Sequence, residues 1–325
     1  MYAIQVNENG GPEVLRFVEL VDPQPREAEL LVEVEAAGIN FVDVYQRTGL
    51  DEVPKPFIPG LEGMGRVLEP CEPFRRGDRI AWVGVKGSYA QLLIVPASRA
   101  IRIPDSFTIS QSLLFQGITA QYLIHEYRTI QPGDIALVHS AAGGCGQLLV
   151  QWLKHLGAIV IATASTSAKL ETARSLGADH LVNYAESDFG DAVLQITGGR
   201  GVDIAYDAVG KTTLRRTLDT IAIRGTAVTF GAASGAPPAI EGLRLILKSI
   251  RLVGGSITSY IATPKDLQSR AQQVIDAVSE GWLKISEGTA YALENALQAH
   301  HDLEGRKTEG KLYLLPRETR STIAS

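Results

Sequence analysis

The feature that most constrains this chain is the octapeptide His139-Ser140-Ala141-Ala142-Gly143-Gly144-Cys145-Gly146. It stands between a short apolar run, Ile135–His139, and a stretch of helical pattern, Gly144–Leu156. A glycine-rich turn that leaves a strand and opens a helix is the context in which a G-x-G-x-x-G spacing binds a dinucleotide. Here Ala141, Gly143 and Gly146 hold the three positions. Gly143 lets backbone N–H groups approach a pyrophosphate, and Gly146 lets the helix pack close to the strand. The positive end of the helix then favours the negative charge. Such a turn is weak evidence alone, so its weight comes from its surroundings.

Those surroundings alternate. Strand patterns at Ile159–Ala164, His180–Asn183, Val202–Asp207, Gly225–Phe230 and Arg251–Gly254 interleave with helical patterns at Ala168–Leu176, Asp188–Thr197 and Thr213–Ile221. Near-continuous apolar strands between helices imply a parallel sheet covered on both faces, and six strands suit a doubly wound Rossmann fold. Residues 1 to about 100 read differently. Leu30–Ala37 alternates apolar and acidic residues, and Gly, Pro and Asp punctuate the rest, as in a β-rich domain. Further on, Lys265–Glu280 and Ala290–Leu303 read as helices, Gly310–Leu315 as a strand and Arg317–Ser325 as a loose polar tail. The fold class is therefore α/β. The expected division is 116–256 for the nucleotide domain, with 1–115 and 257–325 forming the other.

The end of the second strand of the nucleotide domain separates NAD from NADP. An NAD enzyme places Asp or Glu there for the ribose 2′-OH. This chain has Ala164-Ser165-Thr166-Ser167, then Lys169, and no carboxylate before Glu171. Ser165 can donate to a 2′-phosphate and Lys169 can neutralise it, which points to NADPH. A charge-assisted hydrogen bond contributes about 1.5–3 kcal/mol, or roughly one to two decades of preference. The alternative makes Lys169 a solvated helix residue.

The formal charge of −5, from 31 basic and 36 acidic side chains with no long run of one sign, does not suggest a nucleic-acid or anionic-membrane partner. The longest stretch without Asp, Glu, Lys or Arg, Ile135–Leu153, carries His, Ser, Gly and Gln, so it reads as strand–turn–helix and not as a membrane span. Two cysteines, Cys71 and Cys145, cannot make a disulfide framework, and the N-terminus has no signal-peptide pattern. Both fit a cytoplasmic protein.

Several stretches together carry a family resemblance: AAGINFVDVYQRTG from Ala36, PGLEGMGRV from Pro59, GDRIAW from Gly77, GSYAQ from Gly87, QGITAQYL from Gln116, SAAGGCG from Ser140 and YDAVG from Tyr206. On these the chain resembles the quinone oxidoreductases, or ζ-crystallin-like proteins, the zinc-free members of the medium-chain dehydrogenase/reductase superfamily. The resemblance implies a GroES-like catalytic domain beside the Rossmann domain and a homodimer pairing near Arg251–Ile257. The zinc enzymes of that superfamily place a Cys ligand where this chain has Asn40 and a His ligand where it has Leu61, while Glu62 remains. Leucine cannot ligate a metal and an Asn amide binds zinc poorly. Hence no metal is expected.

Carried over position by position, the resemblance places Asn40 and Tyr45 at the nicotinamide and the acceptor, as the catalytic pair. Thr119 falls at the nicotinamide end, and Ala142, Gly143, Gly144, Cys145 and Gly146 around the pyrophosphate. Ser165, Lys169 and Tyr184 surround the 2′-phosphate. Val209, Phe230, Gly231 and Ala232 border the cofactor, the last three beside the nicotinamide ribose, and Arg306 reaches the phosphates. The turn after the fifth strand reads FGAASG in place of a more polar family pattern, so backbone contacts are expected there more than side-chain ones. Bland readings stand beside these. Asn40 can simply cap a helix, Tyr45 can be core, Glu62 can pair with a basic residue, and His139 can be structural. The expected activity is zinc-independent hydride transfer from NADPH to a quinone. The alternatives are an NADPH-dependent enone or alkenal double-bond reductase and a non-catalytic NADPH-binding, crystallin- or RNA-binding-like protein. A zinc alcohol dehydrogenase is more distant.

Overall fold

Apolar strands alternating with helices can bury both faces of a sheet only if the helices return each strand in the same direction. The computed structural model, which describes residues 1–316, shows that result. The 317–325 segment expected to be a tail lies outside the described residues. Counted from Ile135–Val138, six strands stand in the order 3-2-1-4-5-6, running from His180–Asn183 at one edge to Arg251–Gly254 at the other. Every neighbouring pair is parallel. Successive residues Val160, Ile161 and Ala162, and Ile204, Ala205 and Tyr206, are all fully buried, so both sheet faces are covered. One core cluster joins Leu137, Ile161, Val182 and Ala227 to Phe189, Val193 and Leu218 from the covering helices. Side chains start those helices where the pattern suggests. Thr166 Oγ1 accepts the Lys169 N–H at 3.3 Å, and Asp188 Oδ1 accepts the Asp191 N–H at 2.9 Å.

One boundary differs from expectation. The strand expected at Gly225–Phe230 begins at Ile221, and the preceding helix is only Leu214–Asp219. Ile221 is fully buried and pairs with Val202, while Arg224 takes a φ of +63° and the register breaks beyond Val202. Tertiary burial of Ile221 outweighs its place in a helical pattern, and the kink hides the strand's true start.

The second sheet is built around Glu29–Ile39, an eleven-residue strand. It pairs antiparallel with Leu92–Pro96, Glu62–Glu69 and Leu312–Leu315. Arg79–Val83, Ala100–Arg102 and Thr289–Ala292 complete seven strands. The helix expected at Ala290–Leu303 covers only Ala296–Glu304. Thr289–Ala292 is instead a strand parallel to Leu312–Leu315, and Leu293–Asn295 is a single 3-10 turn. Ladder hydrogen bonds to a strand twenty residues later win over local helical pattern here, which short apolar windows do not reveal.

The described chain forms two compact units. One is Met1–Phe115 with Ile261–Ile275 and the chain from Ile285 on; the other is Gln116–Tyr260 with Asp276–Lys284. Nothing in the sequence pattern marks Asp276–Lys284 as part of the parallel-sheet unit. Its Trp282 stacks on His155 with ring centroids 4.0 Å apart and meets Trp152 edge-on at 5.3 Å. Gln151 bonds the Lys284 backbone through both ends of its amide.

Candidate functional site

In the parallel-sheet unit the turn after the first strand is held by backbone. His139 N–H donates to Tyr206 O, Ala141 N–H to Thr163 O and Gly143 N–H to Ser140 O, at 2.9–3.1 Å. Ser140 takes a φ of +51° to make the reversal. A Cβ on Gly146 would lie 2.8 Å from Ala141 Cα and closer still to Ser140 O, so this glycine is required for the helix to approach. A Cβ on Gly143 would meet only Ser140 O, at 3.2 Å, which leaves open space over the start of the Gly144–His155 helix. This backbone cradle at a helix start suits a diphosphate. Ala142 is buried and Gly144 and Cys145 half-buried beside it. His139 is fully sequestered, with Nδ1 on Thr163 Oγ1 and Nε2 on Thr217 Oγ1, both 2.9 Å. Burial holds its pKa below the usual value, so it is a neutral structural link.

Because the sheet is parallel, the segments that follow its strands leave by one edge. Ser165 and Lys169, both half-buried, follow the second strand. Tyr184 follows the third, its N–H on Ala164 O at 3.2 Å. Val209 follows the fourth, and Phe230, Gly231 and Ala232 follow the fifth. Asp207, which the sequence reading did not single out, organises the fourth turn. Its buried Oδ1 accepts the N–H groups of Val209 (2.8 Å) and Gly210 (3.0 Å), and both carboxylate oxygens accept from Thr213 Oγ1. The fifth turn is bound to the fourth by Ala233 N–H to Ala208 O, and by the Ser234 N–H and hydroxyl, both to Val209 O. The FGAASG turn thus keeps backbone contacts, and its one polar side chain, Ser234, also accepts from the Thr212 N–H at 3.1 Å and the Thr212 hydroxyl at 3.2 Å. Thr119 is buried in the Phe115–Glu126 helix.

The other unit assembles a polar centre from three distant segments. Asn40 ends the long strand and caps the Phe41–Thr48 helix, where the Asp43 carboxylate accepts its backbone N–H at 2.8 Å. Register places Leu312 opposite Ile39 and Gly63 opposite Ala37, which brings Lys311 and Glu62 to Asn40. Asn40 Nδ2 donates to Glu62 Oε2 at 2.9 Å, and Lys311 Nζ donates to Asn40 Oδ1 at 3.3 Å and forms a short ion pair with Glu62 Oε2. Phe115 N–H donates to Glu62 Oε1 at 2.6 Å. Glu62 is fully buried and Lys311 3% exposed. Glu62 thus satisfies a backbone N–H and pairs with a cation.

Beneath Asn40, a buried relay runs Asp43 Oδ2, Tyr89 OH, His300 Nε2, with links of 3.0 and 3.1 Å. Burial raises the Asp43 carboxyl to about 7 and lowers His300 to about 3. Arg47, fully buried one turn along the same helix, pairs with Glu304. Tyr45 is half-buried on that helix, its ring tilted against Phe41 at 6.2 Å. Arg306 is exposed just beyond the Ala296–Glu304 helix. Lys311, Asp43 and Asp207 are the polar anchors the sequence reading missed. The signal available for Lys311 was a lysine opening an otherwise apolar terminal strand.

Beside the polar centre, Leu61, Ile58, Phe57, Val53, Gln46 and Lys86 line a cavity of about 390 Å³. It includes Val53, Pro56 and Phe57 of the loop before the Glu62–Glu69 strand, and its volume falls in the range of small-molecule sites. Among the described residues no group of three His, Cys, Asp or Glu is placed to hold a metal ion, and no helix is long and apolar enough to cross a membrane. The donor set at Asn40, Leu61 and Glu62 does not fit zinc. One position is a hydrocarbon, and an ammonium already occupies the other two.

Comparison with known proteins agrees with both halves of the fold. Residues 26–105 match the alcohol dehydrogenase GroES-like domain family and 144–280 the zinc-binding dehydrogenase family. A quinone oxidoreductase of Salmonella typhimurium is 36% identical over 96% of this chain and 99% of its own. A 2-haloacrylate reductase of a Burkholderia species is 35% identical, over 97% and 98%. The crystal structure of Escherichia coli quinone oxidoreductase complexed with NADPH superimposes with a TM-score of 0.93 at 34% identity, covering 97% of this chain and all of that one.

Proposed function

Because this chain belongs to the quinone oxidoreductase family of the medium-chain dehydrogenases/reductases, we propose that it reduces a quinone with NADPH and without a metal. The observation that carries this reading is the strand-end edge. A backbone cradle at a helix start is followed, at the end of the next strand, by Ser165 and Lys169 where a 2′-hydroxyl reader would need a carboxylate. When bound, NADPH supplies the hydride. Ala142 to Gly146 receive the pyrophosphate, and Ser165, Lys169 and Tyr184 the 2′-phosphate. Val209 borders the cofactor and Phe230, Gly231 and Ala232 line the nicotinamide ribose side, with Thr119 at the ring and Arg306 on the phosphates. Asn40 and Tyr45 donate hydrogen bonds to the acceptor oxygen as negative charge builds on it. The apolar cavity beside Leu61 takes the acceptor ring. Conjugation in a quinone stabilises the developing anion, so positioning and hydrogen bonding suffice.

The test is a competition between NADPH and NADH with Lys169→Ala. NADPH affinity is expected to fall about 10- to 100-fold while NADH affinity barely moves; equal losses would reject Lys169 as the phosphate contact. The likeness to a 2-haloacrylate reductase favours a second reading, reduction of an activated carbon–carbon double bond. A panel of quinones and enones followed by NADPH loss separates the two. Tight NADPH binding with no turnover on either would make the chain a binding protein.

A homodimer through the free edge of Arg251–Gly254 is part of the same proposal. Ile223, Leu243, Ile246 and Leu247 are 64–77% exposed in this part of the unit, an unusual display of apolar side chains without a covering surface. We place the protein in the cytoplasm, where its two free cysteines would stay reduced.

A further inference from the structure

We infer that Lys311 is a positioning residue for the reduction: its buried ammonium fixes the Asn40 carboxamide as a hydrogen-bond donor to the acceptor oxygen and holds positive potential where a Lewis acid would otherwise stand. The inference rests on the reading that Asn40 faces the acceptor. Its basis is the chemistry of the three side chains.

A carboxamide has two unlike ends, and its neighbours decide which way it points. Lys311 Nζ lies 3.3 Å from Asn40 Oδ1, and Glu62 Oε2 lies 2.9 Å from Asn40 Nδ2. Turning the amide over would set its NH₂ against an ammonium and its oxygen against a carboxylate. Both contacts would be repulsive in a buried site, where charges act more strongly than in water. The amide is therefore locked. Its oxygen is turned to Lys311 and one N–H to Glu62, so the donor it can still offer a ligand is the second N–H. A donor complements an oxygen that gains negative charge.

Glu62 does not compete for that role. Its oxygens already accept from Lys311 Nζ, Asn40 Nδ2 and Phe115 N–H. Lys311 has three N–H bonds, of which Glu62 and Asn40 take two. The ammonium thus polarises the Asn40 amide through its oxygen and strengthens the remaining N–H as a donor. The backbone is shaped for the arrangement. A Cβ on Gly38 would stand 2.9 Å from Lys311 Nζ and 2.7 Å from Glu62 Cδ, so only glycine leaves room for the pair.

The experiment compares Lys311→Met, Lys311→Arg and the double variant Lys311→Met/Glu62→Gln. The double variant removes both charges, leaving none buried and uncompensated, which keeps it foldable where the single one fails. Single-turnover hydride transfer is followed with NADPH and [4-²H]NADPH on p-benzoquinone and on an enone. In the Met and double variants, hydride transfer should slow at least tenfold, with more loss on the enone, whose oxyanion is less delocalised. NADPH affinity should stay within twofold, and Lys311→Arg should recover most of the rate. Unchanged hydride transfer in the double variant would overturn the inference. So would equal losses on both acceptors together with weakened NADPH binding, the pattern of general structural damage. Orientation is read separately by selective ¹⁵N labelling of the asparagines. The Asn40 side-chain amide should be protected from exchange in the wild type and exposed in the double variant. If neither acceptor is turned over by the wild type, the proposed activity falls, while this amide signal still decides whether Lys311 locks Asn40; an unaltered signal would sink that claim.

Discussion

The two polar regions of this molecule are built in opposite ways. The turn Ser140–Gly146 is made of backbone, and its contacts join residues close in sequence or on the adjacent strands. The centre at Asn40 is made of side chains, and its key hydrogen bond spans 271 residues, from Asn40 to Lys311. A backbone site is closed to added atoms where backbone faces backbone, as at Gly146, but is indifferent to pH. A side-chain centre of buried acids and bases carries its chemistry in protonation states, and every member must be satisfied by a partner brought from elsewhere. Each construction fails in its own way.

The largest expected effect comes from acidity. Asp43, facing Asn40, Tyr89, Lys311 and Glu62, has its carboxyl raised by burial from an ordinary 3.8 to about 7. Between those values the native state holds a proton the unfolded chain has released, so stability falls as pH rises. His300, facing Tyr89, Arg47 and His301, is lowered by burial from 6.5 to about 3. Between those values the unfolded chain holds the extra proton, so stability rises with pH. The two slopes, each about 1.4 kcal/mol per pH unit, oppose one another from pH 3.8 to 6.5. Removing one uncovers the other. Denaturant titrations should show Asp43→Asn gaining stability from pH 4 to 6.5 and His300→Gln losing it, diverging by roughly 5 kcal/mol in total. Parallel pH curves for the two variants would mean the relay does not hold these protonation states.

The same contrast explains what could be read from sequence. The turn was legible because its requirements are local: Gly146 must lack a Cβ, and a strand and a helix must flank it. The six strands were legible because two-sided burial leaves apolar runs such as Ile159–Ala164. The strand at Thr289–Ala292 was not, since its partner Leu312–Leu315 decides its conformation. Asn40 and Glu62 stand out as positions in a family pattern, but nothing local ties Lys311 to them, although it opens an otherwise apolar strand. Only the antiparallel register of Leu312 with Ile39 brings it to them. Asp43 and His300 looked like ordinary helix residues for the same reason.

A sharper test of the backbone site compares two glycines of the same turn, Gly146 and Gly144, in the unliganded protein. At Gly146 a Cβ meets backbone of Ser140 and Ala141, which cannot move without shifting the strand–helix junction. At Gly144 the nearest atoms it meets are the end of the Gln116 side chain, which can swing away. Gly146→Ala should cost about 2–3 kcal/mol and Gly144→Ala less than about 1 kcal/mol, since overpacking is expensive only where neighbours are fixed. Chemical denaturation of both variants checks this. Equal losses would show that the turn yields as a whole and that its spacing is not set by the Gly146 approach.

Asp207 lies between the two constructions, because one buried side chain fixes a backbone turn. Its Oδ1 accepts the N–H groups of Val209 and Gly210, and its carboxylate also accepts from Thr213 and Thr217. Asp207→Asn keeps the shape and one carbonyl acceptor, so the two N–H bonds can survive. It turns charge-assisted bonds into neutral ones and sets an NH₂ among the threonine hydroxyls. Each such conversion loses on the order of 1 kcal/mol, and hydroxyls can rotate to accept instead. The expected net loss is about 1–2 kcal/mol, with NADPH binding weakened only a few-fold, because the turn is loosened and not removed. Fluorescence titration with NADPH beside a denaturation curve measures both. If affinity falls a hundredfold while stability holds, Asp207 would be shaping the cofactor surface directly, and the division between backbone and side-chain sites would not apply to this turn.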